Sequence, residues 1–353
     1  MIKFLRRRRL GRTSVRGMIQ AMSTPAQEVR SWTDSLHDLR QDDLIVRWGC
    51  TATINSNKVL NTARAIHQVN DKAGFRMHLM EHAPDLIPHT ALDWQDFSAD
   101  DLDSGVVFRP STHSRGRNLH VTYGYEQSHQ RADLMDEGYY VSQLIPKVAE
   151  YRVFVVQGRV VSVAEKTPSN PDDIAWNVAQ GGRFDVVSWD NWPLQAVRKS
   201  VEAFNLTELD FGGVDVMVDA DGKAYVIEIN SAPSLTSEYR QQCMAKAFDW
   251  IATNGKERIP LISEKGGYRK FIHPCITDRA ILIDVDEPLH ADSMRQGRAE
   301  ALSVPVSEDF SDNEGDSEGE VLNSLERESY DKMEYLTGYT NQELVDELKR
   351  RAV

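Results

Sequence analysis

Between residues 40 and 260, short apolar runs separated by polar turns predict a chain that alternates strands with a few helices. DDLIVRW (42–48) reads as a short strand, and SGVVFRP (104–110) as another. Residues 58–82 read as a helix broken near Gly74, and Pro84 and Pro88 then mark a loop. YVSQLI (140–145) and EYRVFVV (150–156) are strands by alternation and β-branched content. Gln157-Gly158 turns the chain into RVVSVAEK (159–166), so 150–166 is expected to be a hairpin. Pro193 opens a helix that carries Leu194, Val197, Val201 and Phe204 on one face. Residues 237–253 are helical again, with Ser237 as the cap.

A second hairpin lies in GGVDVMVDADGKAYVIEINSAPSL (212–235), where Asp221-Gly222 signals a two-residue type I′ turn. With those two as the loop, Ala220 pairs with Lys223, Asp215 falls opposite Glu228, and Asn230 falls opposite Gly213. Alternation then places Val214, Val216, Val218, Tyr225, Ile227 and Ile229 on a core face and Asp215, Glu228 and Asn230 on the other. Two carboxylates facing each other across a ladder repel, and an apolar core nearby makes ionising both harder. A hard cation held by two carboxylates and an amide oxygen resolves the conflict and suits magnesium. Gly213 is expected to leave space beside Asn230. The plainer alternative is an acidic, solvent-facing hairpin with no cation.

Composition narrows the picture. The chain has 353 residues, 41% hydrophobic and 27% charged, enough for two or three packed units. No apolar run is long enough to span a bilayer. Cys50, Cys243 and Cys275 are scattered and odd in number, which gives neither a disulfide framework nor a zinc pattern and points to a reducing cytoplasm. A net charge of −13 argues against broad nucleic-acid binding. Residues 1–30 read as a flexible basic arm; the Arg-rich start also fits an organellar transit peptide. SEDFSDNEGDSEGE (307–320) reads as disordered, within an acidic linker over 306–328, and TNQELVDELKRR (340–351) as a capped helix within 329–353. The stretch 261–305 holds a strand-like ILIDV and no readable function.

The hairpin and its neighbours resemble the ATP-grasp superfamily, above all the RimK-like ligases and ATP-grasp proteins of bacteria and phages. EINSAPSL (228–235) is similar to the Glu-x-Asn and Pro-containing loop of that family, and Asp215 matches its upstream metal carboxylate. VNDKAGFRMHLMEHAPDLIPHT (69–90) looks like the segment in which a lysine, here Lys72, reaches nucleotide phosphates. VVFRPSTHSRGRNL (106–119) resembles the strand and phosphate-covering loop, which points to Arg109, His113, Ser114 and Gly116. Many relatives have lysine at the Arg109 position and more glycine in the loop. YVSQLIPKVAEYRVFVV (140–156) looks like the adenine-holding strand and linker, with Gln143, Leu144 and Ile145 contributing backbone and Gln143 standing where many relatives have glutamate. Arg152 and Lys166 match basic positions that face phosphate or acylphosphate, and WNVAQGG (176–182) makes Asn177 a substrate-side residue.

The resemblance covers roughly residues 60 to 260 and implies an α/β (α+β) ATP-grasp fold, its nucleotide held between two antiparallel-sheet subdomains. The domain would occupy 105–260, behind a small N-terminal α/β region at 31–104. It implies an enzyme that uses ATP and two magnesium ions, with manganese able to substitute. That enzyme would join a carboxylate to an amine on an amino acid or peptide through an acylphosphate. No nucleic-acid or membrane partner is implied, and an oligomer is compatible. The implied setting is the cytoplasm of a bacterium or phage-infected cell.

Three other readings stay open. HLMEH (78–82) fits the His-x-x-Glu-His pattern of inverted zinc metallopeptidases, although Pro84 follows at once. The departures at Arg109 and Gln143 also fit a nucleotide-binding regulatory protein without catalysis. The third is phosphoryl transfer without ligation.

Overall fold

The computed structural model describes residues 1–7, 11–31, 36, 39–111, 118–170, 173–176, 181–260 and 270–276. The expected acidic linker, the C-terminal helix and ILIDV lie outside the described residues.

The first unit is a parallel sheet of β1 (Ile2–Arg6), β2 (Ala26–Arg30), β3 (Leu44–Trp48) and β4 (Val59–Leu60), in the order β2-β1-β3-β4. Residues 1–7 and 11–30, expected to belong to a flexible arm, are instead part of this folded unit. All five residues of β1 are buried, and α1 (Arg12–Ala21) connects it to β2. A strand buried on both faces reads as a continuous apolar run rather than an alternating one. Here IKFL is short and interrupted by Lys3, and the arginines beside it dominate the pattern.

The stretch expected to be one helix is β4 followed by α2 (Ala63–Asn70) and α3 (Lys72–His82). The break falls at Asp71 rather than Gly74. Asp71 ends α2 and caps α3, its carboxylate accepting the Gly74 N–H at 3.0 Å.

The second sheet is antiparallel: β5 (Thr90–Ala91), β6 (Val106–Pro110), β7 (His120–Thr122) and β8 (Tyr139–Gln143), ordered β5-β8-β6-β7. Three short helices serve it: α4 (Ala99–Ser104), α5 (Gly124–His129) and α6 (Asp133–Asp136). Its core is separate, built from Ala91, Trp94, Phe97, Leu102, Val106, Phe108, Leu134 and Val141.

The third sheet carries most of the site residues. β9 (Lys147–Val156), β10 (Arg159–Thr167), β11 (Arg183–Val187), β12 (Phe211–Asp219) and β13 (Ala224–Asn230) run in the order β11-β10-β9-β12-β13, all antiparallel. One face packs on α7 (Leu194–Asn205) and shares a core with α8 (Glu238–Asn254) and the first sheet. Aromatic contacts knit that joint. Trp48 stacks on Phe211 at 5.3 Å, and Phe248 sets its edge against both Phe4 and Phe211.

The hairpin pairs Asp215 with Glu228 and Gly213 with Asn230, as expected, but by a different route. Asp219 N–H donates to Lys223 O and Gly222 N–H to Asp219 O, so three residues, Ala220 to Gly222, form the loop. Gly222 takes φ 78°, the left-handed residue that closes such a loop. This moves the register by one, and Val216 pairs with Val226. A β-bulge at Ile227 then moves it back by one. Turn and bulge cancel at the carboxylates.

Between them they turn Tyr225 and Ile227 away from the expected core face. Both join Ile145 and Met217 in a small apolar cluster on the opposite face, while Val214, Val216, Val226 and Ile229 stay in the main core.

Beyond α8 the chain returns to the turn at Gln157. Its side-chain amide donates to Gly255 O and Glu257 O, and its carbonyl accepts Ile259 N–H. Ile272 bridges to Val160, and His273 N–H donates to Val160 O.

Candidate functional site

Strand alternation on the third sheet gathers the charges. Arg152 on β9 is paired with Asp215 on β12, and Asp215 is paired in turn with Glu228 on β13. Arg152 forks onto Asp215, with Nε at 2.7 Å from Oδ1 and Nη2 at 3.0 Å from Oδ2. Lys166 on β10 donates to the same Oδ2 at 2.9 Å and to Glu150 on β9. Glu150 also accepts from Lys147 at 2.6 Å. Lys72, the first residue of α3, donates to Glu228 Oε2 at 2.7 Å, and Asn230 Nδ2 donates to Glu228 Oε1 at 3.1 Å.

The conflict between the two facing carboxylates, which the bare pairing assigned to a metal, is met here by protein cations. Burial by itself raises the Asp215 carboxyl, but Arg152 and Lys166 outweigh it and hold it below the ordinary range. Burial also works against Glu228, and Lys72, by charge and hydrogen bond, keeps it well below. Burial disfavours the Lys166 ammonium, yet Asp215 and Glu150 raise it above its usual value. All three groups are therefore charged at neutral pH.

Gly213 leaves no open space beside Asn230. A Cβ there would lie 2.8 Å from Pro233 Cβ and 3.4 Å from the Arg152 side chain. The missing side chain is what lets Pro233, in the loop after β13, pack close against β12.

Arg109 on β6 stands near this network without bonding to it. Its Nε donates to Ser142 Oγ at 2.9 Å. Burial, with Arg76 adding like charge, brings its guanidinium down to about 10, so it stays cationic. The amides of Gln143 and Leu144 already donate to His89 O and Gly105 O. Ile145 is the linker residue that joins the apolar cluster with Met217, Tyr225 and Ile227. His113, Ser114, Gly116 and Asn177 lie outside the described residues.

Several residues in or beside this candidate site escape the sequence reading. Glu150 lies two residues before Arg152 on the same strand face, and that spacing was a usable signal. Arg76 lies one helical turn after Lys72. Phe184 on β11 had no signal: Arg152, Arg240 and Lys166 stand 4.7, 5.3 and 5.7 Å from its ring centre. Nor did Asn61. It is fully buried, accepts the N–H groups of Asp210 and Phe211, and donates to Phe211 O at 3.0 Å, which anchors the start of β12.

His78 and His82 of HLMEH sit one turn apart on α3, with ring centres 4.3 Å apart. Among the described residues no group of three His, Cys, Asp or Glu could hold a metal, so the pair has no third partner for a zinc site. Among the same residues no helix is long and apolar enough to cross a membrane.

A family model for an ATP-grasp domain, the third family of its clade, matches residues 59–248, a span that includes the whole charge network. An ATP-grasp ligase, PsnB, complexed with a minimal precursor is similar at a TM-score of 0.50 and 14% identity, over 71% of this chain and 98% of that one. D-alanine–D-alanine ligase from Bacillus anthracis is similar at a TM-score of 0.50 and 14% identity, over 72% of this chain and 96% of that one. At such identities the likeness is one of fold. No curated protein sequence matches the chain.

Proposed function

The chain belongs to that ATP-grasp domain family, and on that footing we propose that it is an ATP- and magnesium-dependent ligase that joins a carboxylate to an amine. The observation that carries this reading is the facing pair Asp215 and Glu228, fenced by Lys72, Arg152 and Lys166. Such a set neutralises itself before substrate arrives and can exchange partners when a polyanion enters with its cation.

Two carboxylates and an amide oxygen fit a hard divalent ion. Asn230 gives its N–H to Glu228, which leaves its Oδ1 for a cation. Asp215, Glu228 and Asn230 would hold magnesium, with manganese able to substitute, and a second ion would share the phosphates. The ion supplies charge neutralisation between phosphate oxygens. Freed from Glu228, Lys72 would turn to the nucleotide phosphates beside Arg109, under the loop carrying His113, Ser114 and Gly116. Adenine would lie on the apolar face of Ile145, Met217, Tyr225 and Ile227, along the linker Gln143 to Ile145.

In the first step a substrate carboxylate oxygen attacks the γ-phosphorus and ADP leaves, giving an acylphosphate. An amine nitrogen then attacks the acyl carbon, loses its proton, and phosphate departs. Arg152 and Lys166 would stabilise the transferring phosphoryl group and the tetrahedral oxyanion. Asn177 would stand on the substrate side. The substrate class is an amino acid or peptide; PsnB is found complexed with a minimal precursor. ADP release measured against a panel of amino acids and peptides, with mass spectrometry of the products, tests the reading. Condensed product with a mass lower by one water supports it, and ATP-dependent phosphorylation with no amide would sink it.

A further inference from the structure

Arg76 takes no part in the scheme above, yet it is 2% exposed and holds three elements together. Its Nη2 donates to Ile227 O at 2.7 Å, and its Nη1 reaches Thr90 Oγ1 on β5 at 3.4 Å. Its guanidinium carbon lies 5.8 Å from the centre of the Tyr140 ring on β8. Thr90 is fixed in turn, its hydroxyl donating to Pro88 O at 2.8 Å.

The place where it grips the third sheet is specific. Ile227 is the extra residue of the bulge, with no partner on β12. A sheltered carbonyl outside the ladder needs another donor. The next residue is Glu228, which Lys72 holds one turn back on the same helix. Two cations of α3 thus grip consecutive residues of β13, one at a carbonyl and one at a carboxylate. A guanidinium fork can span Ile227 and Thr90 together; a lysine head cannot present that rigid pair of directions.

We propose that Arg76 is a positioning residue of the metal site, pinning the bulge at Ile227 so that Glu228 faces Asp215, and tying that orientation to the second sheet through Thr90 and Tyr140. The proposal rests on the reading of Asp215, Glu228 and Asn230 as metal ligands. Its distinguishing mark is selectivity. A residue that only contacts phosphate or only fills space acts on nucleotide with or without metal, whereas a residue that aims Glu228 acts on the part of the affinity that metal adds.

Calorimetric binding of AMPPNP with Mg2+ and with EDTA, in the full chain and in Arg76→Lys and Arg76→Met, separates these cases. The gain in affinity conferred by Mg2+ should fall roughly tenfold in Arg76→Met, the range typical when a ligand's supporting partner is lost. It should fall less in Arg76→Lys, which keeps the charge and one bond. Amide hydrogen exchange should quicken at 226–230 in both variants and not at 153–156. An equal loss with and without Mg2+, or no loss, overturns the proposal. If Arg76→Met does not fold, the lysine variant alone decides by the same ratio. If the wild type itself gains nothing from Mg2+, the ligase reading fails on its own, and unchanged exchange at 226–230 then overturns the pinning role as well.

Discussion

Asp215 and Glu228 face each other across the β12–β13 ladder, and each is held by a different cation: Arg152 at 2.7 Å on one side, Lys72 at 2.7 Å on the other. The two carboxylates therefore differ in what their loss would do. Asp215 is buried among Arg152 and Lys166, so Asp215→Asn takes a shared counter-charge from two buried cations. It should cost about 3 kcal/mol of stability, seen as a lower unfolding midpoint. Glu228→Gln leaves only the half-buried Lys72 unpaired and should fold nearly as the wild type. Both should lose Mg-ATP turnover. Full turnover in Glu228→Gln would remove it from the metal site.

Gly213→Ala should be worse than its size suggests. The added Cβ meets Pro233 at 2.8 Å, and the Arg152 stem blocks the other way out. Pushing the loop after β13 outward should cost about 1–3 kcal/mol, as overpacking does. Chemical denaturation measures the loss. Gly222→Ala, at a left-handed turn position open to solvent, should cost about 1 kcal/mol and leave nucleotide binding intact.

Asn61 presents both ends of its amide to backbone groups of β12 and the segment before it. Asn61→Ala leaves those groups buried without partners and should destabilise by about 2–3 kcal/mol. Asn61→Asp keeps the acceptor but sets a carboxylate against Phe211 O, and should be no better. Thermal unfolding of the two variants side by side checks this.

Acid should loosen the C-terminal return. His273 donates from Nε2 to Gln157 Oε1 and accepts the Cys275 N–H at Nδ1, an arrangement that needs the neutral ring. Burial, and then Arg159, depress its pKa to about 4 from an ordinary 6.5. The unfolded chain takes up the proton first, so stability is full above about pH 6.5 and falls as the pH drops through about 4. That window is worth about 3 kcal/mol. His273→Gln should flatten the acid side of a stability–pH curve; an unchanged slope would refute the assignment.

The facing carboxylates of the candidate site were legible in the sequence because strand alternation is periodic. Asp215, Glu228 and Asn230 follow strand alternation, whereas Arg152 and Lys72 came only from the family resemblance, Lys72 lying inside a stretch expected to be one helix. The pairing of Asp215 with Glu228 was right although the turn was not, since an unseen bulge offset an over-short loop. Tyr225 and Ile227 betray the offset: alternation counted through a bulge assigns the wrong face. The partners of the carboxylates were not legible, because Lys72 and Glu228 are 156 residues apart and nothing local links them. The first strand was lost because three apolar residues interrupted by Lys3 and followed by four arginines look like a tail.

The charges around the facing carboxylates have a consequence for how a ligand arrives. Lys72, Arg76, Arg109, Lys147, Arg152 and Lys166 outnumber Glu150, Asp215 and Glu228, while the whole chain carries −13. Residues 277–353 hold −12 of that charge and the remainder only −1, so a nucleotide polyanion would meet a nearly neutral body with a local positive excess at these side chains. Salt screens the distant field more than the sheltered one. Added salt should then slow nucleotide capture only weakly, unlike at a site that steers its ligand in from bulk solution.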